Sequence, residues 1–186
     1  MANLKLLFHF DILCPHSFLG YQILQQKLPK LLEKKNFEVD YIPVMGPKIF
    51  RSANGTLYDG LASPKRDYIL HELELIAKLY NLKRPEKFYW GSKLLDKRSV
   101  SALLFLNGTK RTNEKLFKMF RERFFDDIWL KNEKLNKVSK FFRVGRELGL
   151  EFREMDDLIS KLESIQNVKP LLDKTNQLIL EDVSCT

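Results

Sequence analysis

The stretch Leu6 to Gly20, LLFHFDILCPHSFLG, decides the fold. The apolar run Leu4, Leu6, Leu7, Phe8 and Phe10 predicts a buried strand, and Pro15 followed by an apolar-periodic segment from Phe18 to Leu32 predicts a helix. Proline has no N–H to lose at the first helical position, so Pro15 fits there. Cys14 is thereby delivered to the cap of the helix, where unpaired backbone N–H groups and the positive end of the helix dipole favour a thiolate over a thiol. A charged His16 would draw the thiol further below its unperturbed pKa of about 8.5. Free cysteines are commonly buried as small hydrophobes. The strand, Pro15 and His16 around Cys14 favour a reactive nucleophile instead.

With 186 residues, 44% of them hydrophobic, the chain can bury one substantial core or one domain carrying a large insertion. Cys14 and Cys185 are its two cysteines, so no disulfide framework holds the fold and a reducing compartment is expected. The N-terminus enters a strand almost at once, which leaves no room for a signal peptide, and no apolar run approaches the roughly 18 residues of a membrane span. The sequons at Asn54 and Asn107 are accordingly expected to stay unmodified. A net charge of +8 invites a nucleic-acid reading, but the 32 basic residues are spread among 24 acidic ones along amphipathic segments such as 110–123 and 131–146. That pattern reads as solvated helix faces rather than a phosphate-binding surface. A basic field around a cleft would still attract small anionic substrates.

Phe37 to Val44, FEVDYIPV, alternates and is rich in β-formers, so it predicts a second strand parallel to the first across the intervening helix. Gly46, Pro47, Asn54, Gly55 and Gly60 break any period from Met45 to about Leu61, and the expectation there is a loop. Beyond Pro64 the chain reads as helical, with candidates over 65–80, 99–106, 113–129, 132–148 and 155–165. Asn113 is a cap ahead of an aromatic face, Phe117, Phe120, Phe124 and Phe125, that reads as core. Gly149 stops the helix before it. The three histidines, His9, His16 and His71, are scattered and neither cysteine has a CxxC partner, so no metal site is expected.

The one sharp motif is Cys14-Pro15-His16-Ser17. It is similar to the CPHC of the disulfide oxidase DsbA with serine in place of the second cysteine, so Cys14 lacks a resolving partner next door and could form only mixed disulfides. The wider stretch FHFDILCPHSFLGYQIL closely resembles the opening of class kappa glutathione transferases and of 2-hydroxychromene-2-carboxylate isomerases. The resemblance continues through Ser99 to Leu106 (SVSALLFL) and Trp129 to Glu133 (WLKNE), and so covers nearly the whole chain.

The resemblance implies an α/β, thioredoxin-like fold of DsbA or kappa type, in which a large all-helical insertion follows a β-α-β unit. The expected division is a thioredoxin-like half at 1–45, a linker at 46–62, the helical insertion at 63–170 and a return segment at 171–186. The last proline is Pro170, and a cis-proline, the later strands and a final helix of the family are not recognisable. The expectation is therefore a truncated form with an exposed apolar face, low stability and weak glutathione affinity. Glutathione is implied as co-substrate, held by Cys14 at the family's serine position, by Asn54 in the loop and by Lys65 at the start of the insertion, with Pro15, His16 and Ser17 in support. A thiol donates hydrogen bonds poorly but attacks well. The expected activity is that of a kappa-type transferase or peroxidase acting on a small hydrophobic electrophile or peroxide, with isomerase chemistry open at the same site. The alternatives are a monothiol disulfide oxidoreductase and a catalytically weak binding protein. The resemblance also allows a homodimer, and it suggests a mitochondrion or peroxisome, or the cytoplasm if no targeting signal is supplied.

Overall fold

The computed structural model describes residues 4–33, 37–54, 61–88 and 97–181. Strand β1 (Leu4–Phe10) leads into helix α1 (Pro15–Leu32), which returns the chain to strand β2 (Phe37–Pro43). The strands are parallel, with Leu4 opposite Phe37 and Phe10 opposite Pro43. Helix α1 begins with Pro15 at its first position, as the sequence requires.

The loop expected over 46–62 is corrected by the structure. Its first half is helix α2 (Gly46–Asn54). The Met45 carbonyl accepts the Lys48 and Ile49 N–H groups at 3.1 and 3.2 Å, and Pro47 sits early enough in the helix to cost no hydrogen bond. Ile49 packs with Ile42, Val44 and Leu178 in a small cluster of its own. Burial of that apolar face outweighs the two breakers at the start.

Among the described residues the further helices are α3 (Ser63–Leu79), α4 (Val100–Thr112), α5 (Glu114–Trp129), α6 (Val138–Glu147), α7 (Phe152–Ser160) and α8 (Ile165–Leu180). Asn113 caps α5 as expected, its Oδ1 accepting the Lys115 and Leu116 N–H groups at 2.9 and 3.2 Å. Gly149, at φ +86°, turns the chain out of α6. The helix expected from Asn132 begins only at Val138, because Asn132 is itself in the left-handed region at φ 55° and its Oδ1 accepts from Lys97. The helix expected over 155–165 begins earlier, at Phe152, where Glu151 and Glu154 form a capping box.

Helix α8 runs straight through the boundary drawn at 170. Pro170 lies inside it. Proline there leaves the carbonyl four residues back, on Gln166, without its helical N–H. The Arg111 guanidinium supplies the missing donor, Nη1 to the Gln166 oxygen at 2.8 Å. A proline inside the helix is thus accommodated by a cation on a neighbouring helix.

The β-α-β unit and the helical segment share one core. Phe18 stacks on Trp129 with ring centroids 5.9 Å apart, Tyr21 on Phe125 at 5.3 Å, and Phe10 meets Phe125 at 5.7 Å. The aromatic face of α5 is therefore the wall on which β1 and α1 rest. Leu4, Leu6 and Leu7 on β1 remain exposed. Among the described residues no helix is long and apolar enough to cross a membrane.

Candidate active site

Three elements converge on one buried carboxyl at the end of β1. Asp11 accepts the Leu13 N–H at 2.8 Å, the Gly46 N–H at the start of α2 at 2.9 Å and the Ser99 hydroxyl before α4 at 3.2 Å. Burial pushes the Asp11 carboxyl up to about 6, and these three donors oppose the rise. The Asp11 carbonyl in turn receives the Cys14 N–H at 3.0 Å. From the other side the Trp129 indole donates to the Ile12 carbonyl at 2.9 Å. The turn that carries the thiol is therefore fixed by backbone and side-chain bonds on every flank.

Cys14 occupies the N-cap of α1 in an extended conformation, φ −82° and ψ 118°, and its side chain makes no capping bond. The residue is buried, with 5% of its surface exposed. His16 stands in the first turn, its Nε2 3.5 Å from Oε2 of Glu72 on α3. Burial works against a charged imidazole, yet the Cys14 sulfur and then the Glu72 carboxylate together raise the His16 pKa above its ordinary value. Ser17, at the position of the second cysteine of a CPHC motif, is turned back onto the backbone, where Oγ accepts the Asp11 N–H at 3.4 Å.

The site residues read from the sequence are partly brought together. Cys14, Pro15, His16 and Ser17 form one turn at the start of α1. Lys65 is exposed in the first turn of α3, the helix that packs along α1 and carries Glu72. Lys65 and Glu72 are seven residues apart, hence on one helix face and about 10 Å apart along the axis. Asn54 is the last residue of α2 rather than a loop residue, and its side chain lies outside the described residues. Cys185 lies outside them as well.

Glu72 and Asp11 carry the electrostatics of the site, and sequence reasoning assigned a role to neither. Glu72 does leave a trace, because it interrupts the apolar stripe Ile69, Leu73, Ile76 of α3 with a carboxylate on the α1-facing side. Beside the turn a cleft of about 400 Å³ opens between Leu13, Pro47, Arg98, Ser99 and Asn136. Among the described residues no group of three His, Cys, Asp or Glu side chains gathers as a metal ion would need.

Comparison with known proteins places the fold. The curated relatives include glutathione S-transferase kappa 1 of Rattus norvegicus, 21% identical over 89% of this chain and 71% of its own length. The Homo sapiens protein of the same name is 23% identical over 90% of this chain and 72% of its own. Among solved structures, a 2-hydroxychromene-2-carboxylate isomerase superposes with a TM-score of 0.67 at 18% identity, covering 97% of this chain and 81% of that one. A Streptomyces coelicolor protein described as a probable DsbA oxidoreductase gives 0.66 at 12% identity, over 95% and 76% of the two chains. The model of the DSBA-like thioredoxin domain matches residues 5–180, nearly the whole length over which strand, thiol turn and helices have been described, and the chain belongs to that family.

Proposed function

We propose that this chain is a glutathione-dependent enzyme of the kappa type, in which the Cys14 turn receives the sulfur of glutathione and Lys65 a carboxylate of the tripeptide. The observation that carries this reading is the placement of a thiol at the cap of α1, with His16 beside it and a lysine on the facing helix. The similarity to kappa transferases supports glutathione as co-substrate. Transferase chemistry at such a site is attack of the glutathione thiolate on an electrophilic carbon, with expulsion of the leaving group. Peroxidase chemistry would oxidise Cys14 itself. The thiolate takes one oxygen from the peroxide and releases an alcohol, one glutathione condenses with the sulfenic acid and releases water, and a second glutathione frees Cys14 as oxidised glutathione departs.

A second reading, a monothiol disulfide oxidoreductase, is favoured by Ser17. With its hydroxyl on the backbone and no second thiol in the turn, Cys14 would take the glutathionyl group from a protein–glutathione mixed disulfide, freeing the protein thiol, and a further glutathione would release Cys14 as oxidised glutathione departs. Initial-rate assays separate the two. Conjugation of a chlorinated nitroarene, or glutathione-coupled peroxide reduction, supports the first reading. Reduction of insulin or of a glutathionylated protein without either activity supports the second. If glutathione neither binds nor supports turnover in any of these assays, both readings fail.

A further inference from the structure

We infer that Glu72 is a positioning residue for Cys14, acting through His16, so that the helical segment controls the reactivity of a thiol carried by the β-α-β unit. The inference deepens the reading above, since it concerns the same sulfur.

Cys14 caps α1, His16 follows two residues later, and Glu72 reaches His16 Nε2 from α3 across 56 residues of chain. An imidazole whose Nε2 is turned to a carboxylate has Nδ1 left to serve the sulfur, and the carboxylate fixes the ring and favours its protonated form. A protonated ring beside the cap adds its charge to the helix N-terminus in support of the thiolate. Burial alone would push His16 the other way. Glu72 is one of the two groups that reverse this, the other being the sulfur itself.

The other charged groups around α1 lie on different flanks or further along α3. From α5, Glu122 accepts the Tyr21 hydroxyl at 2.9 Å, while Asp126 lines a cleft with Gln22 and Lys83 on the flank of α1 beyond Phe18. On α3, Lys65 stands two turns before Glu72, and His71 is exposed. Among the described residues, Cys14 and Glu72 are the groups that raise the His16 pKa. Both His16 and Glu72 are partly exposed, with 22% and 42% of their side chains accessible, so the interaction is of moderate strength and reachable by solvent protons.

The test is the pH profile of Cys14 alkylation by iodoacetamide, an uncharged probe that reports thiolate and needs no glutathione. Glu72→Gln should slow the reaction about threefold to tenfold near pH 6, where the charge of the His16 ring counts, and leave it unchanged near pH 9.5, where the ring is neutral. In a His16→Gln background the same substitution should do nothing further. Glu72→Asp should fall between wild type and Gln. A profile unmoved by Glu72→Gln, or slowed equally with and without His16, overturns the inference. Should Glu72→Gln lose its thermal transition, the titration of the His16 ring by NMR in the unaltered chain and in Glu72→Asp decides. A midpoint above about 6.5 that falls in Glu72→Asp upholds the coupling, and one that Glu72→Asp leaves in place overturns it. Because the probe bypasses glutathione, failure of the glutathione reading would leave these rates untouched, and failure of the coupling would leave glutathione binding untouched.

Discussion

The Trp129 indole N–H donates to the Ile12 carbonyl at 2.9 Å, joining the end of α5 to the turn that carries Cys14 across 117 residues of chain. The same ring stacks on Phe18 of α1, so a single side chain both fills the core and holds the thiol turn. Trp129→Phe keeps an aromatic ring in the core but strands a buried carbonyl. We expect a loss of about 2 kcal/mol in urea unfolding and faster exchange of the backbone amides around the Cys14 turn. An unchanged unfolding midpoint would mean that the bond contributes nothing.

Asp11 sets a pH dependence with a definite sign. Its carboxyl titrates near 6 when folded, against 3.8 for the ordinary group, so between about pH 4 and about pH 6 the native chain holds more protons than the unfolded one. Stability from this group therefore falls as pH rises through that window, by about 3 kcal/mol, and levels off above it. Asp40 and Asp127, held low by neighbouring cations, act in the opposite sense and lose their contribution as pH falls through the acid range. Chemical unfolding of wild type and Asp11→Asn across the window isolates the term. The difference between the two should change with pH, and a parallel pair of curves would contradict it.

Cys14→Ser replaces a strong nucleophile by a better hydrogen-bond donor. Conjugation should survive or improve, while peroxide reduction and disulfide exchange through Cys14 should fall at least about a hundredfold. Loss of conjugation and peroxidase turnover together would assign Cys14 a different task.

Lys65→Ala should weaken glutathione binding about twofold to fivefold, the range for an exposed ion pair, and the deficit should shrink as salt is raised. Calorimetric titration at two ionic strengths checks it. An affinity that Lys65→Ala leaves unchanged removes Lys65 from the site.

The thiol turn and the aromatic wall were legible in the sequence because each is written in local chemistry. Pro15 marks the start of α1, Asn113 the start of α5, and Gly149 the end of α6, and all three do what their backbone preferences dictate. Helix α2 was not legible, since Gly46 and Pro47 advertise a loop and only the burial of Ile49 and Phe50 makes the helix worth forming. How a helix holds Pro170 was not legible either, because the donor that replaces its missing N–H is Arg111 on another helix. Glu72 belongs to the same class. Its partner is 56 residues away, and one carboxylate in an apolar stripe does not say which histidine it faces.

The central claim is that Cys14 is the glutathione-linked nucleophile of this fold, and intact-mass analysis with peptide mapping after exposure to oxidised glutathione tests it most directly. Attack of the Cys14 thiolate on the disulfide should form one Cys14–glutathione bond and release one reduced glutathione. Added glutathione should then reverse the adduct, with oxidised glutathione as the product. A single, reversible glutathionyl group on Cys14, formed more slowly when His16 is replaced by Gln, is the predicted result. A chain that stays unmodified, or that carries the group on Cys185 alone, would contradict the account.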